Sequence, residues 1–403
     1  MSLPPPLTST DDLFRPAQAG QFFPWRDELP PGQHIPLTCA ELSRLAYAPR
    51  QVIEATLETL DWKLECLLHG QRFLPGQADT EGFVTCPRGG GPRFVVFRGT
   101  DSGSVDDLLT DLNAVPRRWR DRHTVHRGFA DEYDSLCAPL QQLAGGSADL
   151  VLTGHSLGGA LATLALDDLP GSRLVTWGAP RVGDRPFVDS LQAASIERYV
   201  HCCDLVARVP LVSLSQESLV GFLRRFGEGL REEGQAAPRL WQLAEKLDPS
   251  AFLEAQAAHW LGGPPPAYQH PARLHYLTST GALEIDPHES VVREDQRRGR
   301  AAFRLAVKER LPDAALVRGI WKSASQALWS LPRGDWSGAR GHLVRTVREL
   351  AESNPLQLVL IRDFADHAPC HYVRALLHIT RREAHPATPP LISEWSLPGR
   401  PAG

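Results

Sequence analysis

Two stretches of this chain place reactive residue types at spacings that chemistry demands. The first is Leu150-Val151-Leu152-Thr153-Gly154-His155-Ser156-Leu157-Gly158-Gly159-Ala160, an aliphatic run that meets Gly-x-Ser-x-Gly and continues into an Ala/Leu pattern. A serine hydroxyl is a weak nucleophile until a base takes its proton and the backbone holds its oxygen clear. A sharp strand-to-helix turn does the second of these, with glycines two residues to either side so that no Cβ collides with the neighbouring chain. The helix that follows aims its free N–H groups and positive end at the place where an oxyanion would form. In a chain with 33 glycines the bare pattern is weak, and the strand before it and helix after it give it weight.

The second stretch is Phe94-Val95-Val96-Phe97-Arg98-Gly99-Thr100-Asp101, a strand ending in Gly-Thr. A backbone N–H and a hydroxyl there can complete an oxyanion site, although an ordinary strand-ending turn uses the same residues. Just beyond it, Val105, Leu108, Leu109 and Leu112 stand at i, i+3, i+4 and i+7 beside Asp106, Asp107 and Asp111. That stripe suits a lid over an acyl pocket and an amphipathic surface helix equally well.

The elements that must hold these residues are legible as short apolar runs. Phe83-Val84, Phe94 to Phe97, Leu150 to Leu152, Leu174 to Trp177 and Tyr199-Val200 read as buried strands. A helical pattern from Gly158 to Asp168 separates two of them, and strand-helix-strand implies an α/β protein with a largely parallel sheet. Leu42, Leu45 and Ala46, then Ile53, Leu57 and Leu60, keep helical spacing around Pro49 and predict two helices. Residues 1–36 are Pro-rich and read as an irregular arm with Phe22, Phe23 and Trp25 as anchors. The main domain is expected over 37–403, with mostly helical insertions at 211–266 and 291–355.

Composition narrows the function. The 403 residues carry 43 Lys plus Arg against 47 Asp plus Glu and are 42% apolar, which excludes a disordered or fibrous chain and fits a soluble globular one. No apolar run approaches the roughly 18 residues that cross a bilayer, and the start lacks the basic and apolar regions of a leader. A cytoplasmic protein is expected, with export by an unclassical route left open. Seven cysteines without a CxxC pair read as mostly reduced thiols. Residues 291–362 hold fourteen Lys/Arg against seven Asp/Glu, with three tryptophans but no nucleic-acid-binding motif, so no nucleic-acid partner is expected. In that segment Val317, Ile320, Trp321, Ala324 and Leu328 form a stripe beside Arg318 and Lys322. Packing over the sheet is the commoner use of such a stripe, and peripheral contact with an anionic membrane or lipid interface is the other.

The two reactive stretches together resemble lipase class 3, the fungal-type triacylglycerol lipase family of the α/β-hydrolase fold. Further segments are similar in order: Asp79 to Phe83, Asp107 to Leu112, Val125 to Phe129, Trp177 to Asp184, and Asp204 to Pro210. The resemblance covers about 38 to 210, with fragments later. It implies a serine hydrolase of lipid esters, free of metal or organic cofactor, with Ser156 as nucleophile and Asp204 as acid, Asp184 being the competitor. It places oxyanion donors at Thr100 and the backbone of Leu157, and makes His126 and His155 structural neighbours. The base implied is His367, in Arg362-Asp363-Phe364-Ala365-Asp366-His367 after an apolar run, Leu358 to Ile361, with Tyr372 beyond. His270, in Tyr268-Gln269-His270, is the alternative, then His275 and His371. The order Ser156, Asp204, His367 is that of an α/β-hydrolase. A phospholipase A, an acyltransferase and a non-catalytic binding protein on the same fold remain alternatives.

Overall fold

A computed structural model describes residues 22–70, 80–99, 116–141, 149–192, 194–204, 206–208, 268–271, 273–308 and 366–384. Thr100, the stripe from Val105 to Leu112, the insertion at 211–266, most of that at 291–355 and the run from Leu358 to Ile361 lie outside the described residues.

The chain opens with α1 (Ile35–Leu45), α2 (Arg50–Thr59) and the strands β1 (Trp62–His69), β2 (Thr80–Pro87) and β3 (Arg93–Phe97). A small ribbon follows, β4 (Pro116–Trp119) with β5 (His123–His126), and then α3 (Arg127–Gln141). Next come β6 (Leu150–His155), α4 (Leu157–Asp168), β7 (Arg173–Trp177), α5 (Arg185–Ser190) and β8 (Ser195–His201). The described chain closes with β9 (Leu274–Leu277), β10 (Leu283–Ile285), α6 (Glu289–Lys308) and α7 (Pro369–Ala384).

Eight strands form one sheet in the order β1-β2-β3-β6-β7-β8-β9-β10. The five from β3 to β9 run parallel, and antiparallel pairs close both edges. The expected α/β class, a largely parallel sheet flanked by helices, is the architecture observed. Central strands read as unbroken aliphatic runs because both faces are covered. Phe94, Val96, Val151, Val175 and Trp177 face a core shared with α1 and α7. Val95, Phe97, Leu152 and Leu174 face the other core, shared with α3 and α4. Every residue of α4 from Gly158 to Leu166 is buried, which is why its apolar pattern has no polar face.

The edges explain what the sequence pattern missed. β1 alternates Lys63 and Glu65 with aliphatic residues, and β10 is three residues long with Ile285 exposed, so neither forms an apolar run. The three aromatic residues expected to anchor the N-terminal arm are buried. Phe22, Phe23 and Trp25 are buried in the first core, Phe23 N donates to the buried carboxylate of Glu41 at 2.8 Å, and Glu28 pairs with Arg381 of α7. These three aromatic side chains fix residues 22–34 to the core, as large buried rings do.

Trp25→Ala removes a side chain with 0% exposure and should destabilise the protein by about 3–5 kcal/mol in urea unfolding. A loss smaller than about 1 kcal/mol would show that residues 22–34 only lie against the domain.

Candidate active site

Ser156 joins β6 to α4 with φ +58° and ψ −128°, a conformation that costs an L-residue about 1–3 kcal/mol. The surrounding glycines make it attainable. A Cβ at Gly154 would overlap the backbone of Gly158 and Gly159, and a Cβ at Gly158 would overlap the backbone at Phe97 and Arg98. Ser156 N donates to Trp177 O at 2.9 Å, and Ser156 O accepts from Gly159 N at 2.9 Å to start the helix. Leu157 is the first residue of α4, so its N–H belongs to the turn whose donors have no partner within the helix. The end of β3 closes the other side: a Cβ on Gly99 would stand 3.2 Å from Ser156 Cβ. Ser156 is 3% exposed.

Asp204 lies beyond the end of β8 with no exposed surface. Its Oδ1 accepts from Val206 N at 2.8 Å, and its Oδ2 accepts from His367 Nδ1 at 2.9 Å and from Tyr372 OH at 2.5 Å. A carboxylate only accepts, so Nδ1 of His367 carries the proton and Nε2 of the neutral ring keeps its lone pair. That Nε2 is buried and makes no hydrogen bond among the described residues. Burial, and then the Asp204 charge, push the Tyr372 hydroxyl well above its ordinary range, so it stays a donor.

His155 ties the serine turn to His367. Its Nε2 donates to the carbonyl of His367 at 2.5 Å, which leaves Nδ1 to accept from Tyr47 OH at 2.7 Å. The two imidazoles lie 4.3 Å apart between centroids. Burial, reinforced by His367, holds His155 well below the usual histidine range and therefore neutral. Gly178, at the end of β7, has φ +55°, and a Cβ there would run into Asp204 Oδ2, His367 Nδ1 and Tyr372 OH. Tyr372 and Tyr47 had no assigned part in the sequence reading. Tyr372 was visible only as a residue five beyond His367, and no local pattern marks Tyr47.

The other candidates are placed elsewhere. Asp184 caps α5, accepting from Phe187 N at 3.0 Å and Thr124 N at 3.2 Å. His270 donates from Nε2 to Ala207 O, and burial, then Arg198 and Arg181, hold it well below the usual range. His275 packs on Tyr199, His371 on His201, and His126 on Phe129. Asp204 and His367 are thus joined by a hydrogen bond, with the His367 ring packed on His155, the residue before Ser156, whereas Thr100 and the 105–112 stripe fall outside the described residues.

Residues 94–214 match the family model for lipase (class 3). This segment holds β3, the serine turn and Asp204, whereas His367 lies outside it and is brought in by the fold. The chain is 36% identical over 135 residues to toxin TseL of Vibrio cholerae, covering 30% of this chain and 21% of that protein. It is 31% identical over 155 residues to a lipase of Rhizopus oryzae, covering 33% of this chain and 38% of that one. Among solved structures, the native Rhizomucor miehei lipase propeptide complex is similar at 28% identity with a TM-score of 0.37, covering 44% of this chain and 63% of that one. The matched stretches thus span about a fifth of the toxin and under two-fifths of the Rhizopus lipase.

Two outcomes follow from this geometry. Gly178→Ala forces the Asp204–His367–Tyr372 contacts apart, and ester turnover by the folded variant should fall by about a hundredfold; unchanged turnover would remove the contacts from the mechanism. His155 and His270 are held below the ordinary value of 6.5, so below that pH the unfolded chain binds more protons and stability falls with falling pH. The slope of unfolding free energy against pH below about 6.5 should flatten in His270→Gln, and an unaltered slope would show that His270 does not contribute.

Proposed function

We propose that the chain is a serine hydrolase of lipid carboxylic esters, working through Ser156, His367 and Asp204. The observation that supports this reading is the clamped imidazole: Nδ1 is fixed on a buried carboxylate, Nε2, the nitrogen a base uses, makes no hydrogen bond among the described residues, and the ring packs on His155, the residue before a serine in a strained turn. Ser156 Oγ attacks the ester carbonyl as His367 Nε2 takes its proton, and Asp204 stabilises the imidazolium without itself becoming protonated. The N–H of Leu157, with Thr100 as second donor, receives the oxyanion. Collapse of the tetrahedral species passes the proton to the leaving alcohol. Water, activated by the same histidine, then releases the acid from the acyl-enzyme. Catalytic hydrogen bonds are often long before substrate binds, so an unengaged Nε2 is compatible with this cycle.

Lipid esters are favoured over small soluble ones by the class 3 match and by the named lipase relative, not by any pocket seen here. Ser156 is 3% exposed, and contact with a lipid interface is the means we propose for admitting an acyl group to it. A fluorophosphonate probe should label Ser156 in folded protein, and Ser156→Ala should abolish labelling and lower ester turnover by about 10⁴-fold or more. A profile over p-nitrophenyl esters, triglycerides and phospholipids assigns the class. Hydrolysis that survives in Ser156→Ala, or folded protein that neither labels nor turns over any ester, rejects the reading.

A further inference from the structure

Directly behind the acid–base pair lies a second polar cluster that hydrolysis does not use. Cys202 and Cys203 precede Asp204, and Asp366 precedes His367. The two sulfurs and a carboxylate oxygen of Asp366 lie within 4.8 Å of one another, all on buried residues. The Sγ–Sγ distance is 3.5 Å. Two thiolates on one tetrahedral zinc, each about 2.3 Å from the metal, stand about 3.8 Å apart, so the thiols are nearly at ligand spacing and far from the ~2.05 Å of a disulfide. Asp366 Oδ2 accepts from Cys203 N at 2.9 Å, which fixes the carboxylate over the thiols. His201, 7% exposed, adds a buried Nδ1 that is 3.6 Å from Asp366 Oδ1 and makes no hydrogen bond among the described residues.

We propose that Cys202, Cys203 and Asp366 form a binding site for one thiophilic divalent cation of the zinc or cadmium type, and that filling it turns the neighbouring acid–base pair off. Sulfur donors select such ions over magnesium or calcium, and the carboxylate supplies a third ligand. Each thiol loses its proton as its sulfur bonds the metal, so one divalent cation replaces two protons and no electrons are exchanged. The ligands then carry three negative charges against two positive. The coupling is geometric. Two of the ligands are the chain neighbours of Asp204 and His367, whose contact is 2.9 Å, and drawing the ligands onto a metal shifts both peptide segments. A displacement of about 1 Å at such a contact costs about a hundredfold in rate.

The test uses the full chain, reduced, stripped with chelator and titrated with cadmium chloride. One cadmium per chain is expected by equilibrium dialysis, with a sulfur-to-cadmium charge-transfer band in the ultraviolet, and p-nitrophenyl ester hydrolysis falling by about a hundredfold and restored by EDTA. Cys202→Ser/Cys203→Ser, with unchanged circular dichroism, should keep its hydrolysis in cadmium and lose the band. If the double variant does not fold, Cys202→Ser alone must lose the same band. An equal band in the folded variant, or saturation without a band, overturns the site. A band with undiminished hydrolysis overturns the coupling. Dialysis and absorbance decide the site even for a protein that hydrolyses no ester, so its failure and that of the proposed hydrolase are read separately.

Discussion

The buried carboxylate of Asp204 is the constraint on which the rest of the site depends. An unpaired charge with no exposed surface would cost several kcal/mol, and it is tolerable here because three donors reach it from two regions far apart in the chain. Val206 N comes from the turn that carries Asp204 itself. His367 and Tyr372 come from the segment that leads into and begins α7. The carboxylate thereby joins the start of that helix to the end of β8, and the same bonds that satisfy it select the tautomer of His367. Folding the C-terminal part and fixing the tautomer of His367 are one event.

The second fixed point is the serine turn, where local strain is offset by contacts already made. Ser156 N is held by Trp177 O from the neighbouring strand, and α4 is buried from Gly158 to Leu166. The Tyr47–His155–His367 chain adds a polar connection beneath the turn, with every proton position set by the next acceptor. His155 is kept neutral by burial, so this connection orients without adding charge next to the base.

Much of this was legible in the sequence because both faces of the central strands are covered. Phe94 to Phe97, Leu150 to Leu152 and Leu174 to Trp177 are buried end to end and so appear as apolar runs, and the glycines around Ser156 announce a turn that only glycine allows. Edge strands β1 and β10 were not legible, because half-exposed strands carry polar residues that break the run. The pairing of Asp204 with His367 spans 163 positions, so no periodicity could give it, and it was reached only through resemblance. Tyr47 and Tyr372 show the limit of local reading. Each acts through a single hydroxyl whose partner is set by tertiary packing, and a lone tyrosine on a helix or helix-end turn looks like any core residue.

The strand order explains why the base must come from elsewhere and why β7 must end in glycine. Ser156 and Asp204 follow the carboxyl ends of β6 and β8, and β7 lies between them. Neighbouring strands are about 4.8 Å apart, so two spacings place these chain ends roughly 10 Å from one another, too far for a serine to touch a carboxylate directly. An imidazole with a hydrogen bond at each nitrogen spans that kind of gap, and His367 enters above β7 with Nδ1 already on Asp204. The strand below has to leave room for the ring and for Tyr372 OH. Gly178 leaves it, since any side chain would begin where Asp204 Oδ2 and His367 Nδ1 now sit. The carboxyl edge of a parallel sheet thus sets the distance, and a glycine and an imported histidine fill it.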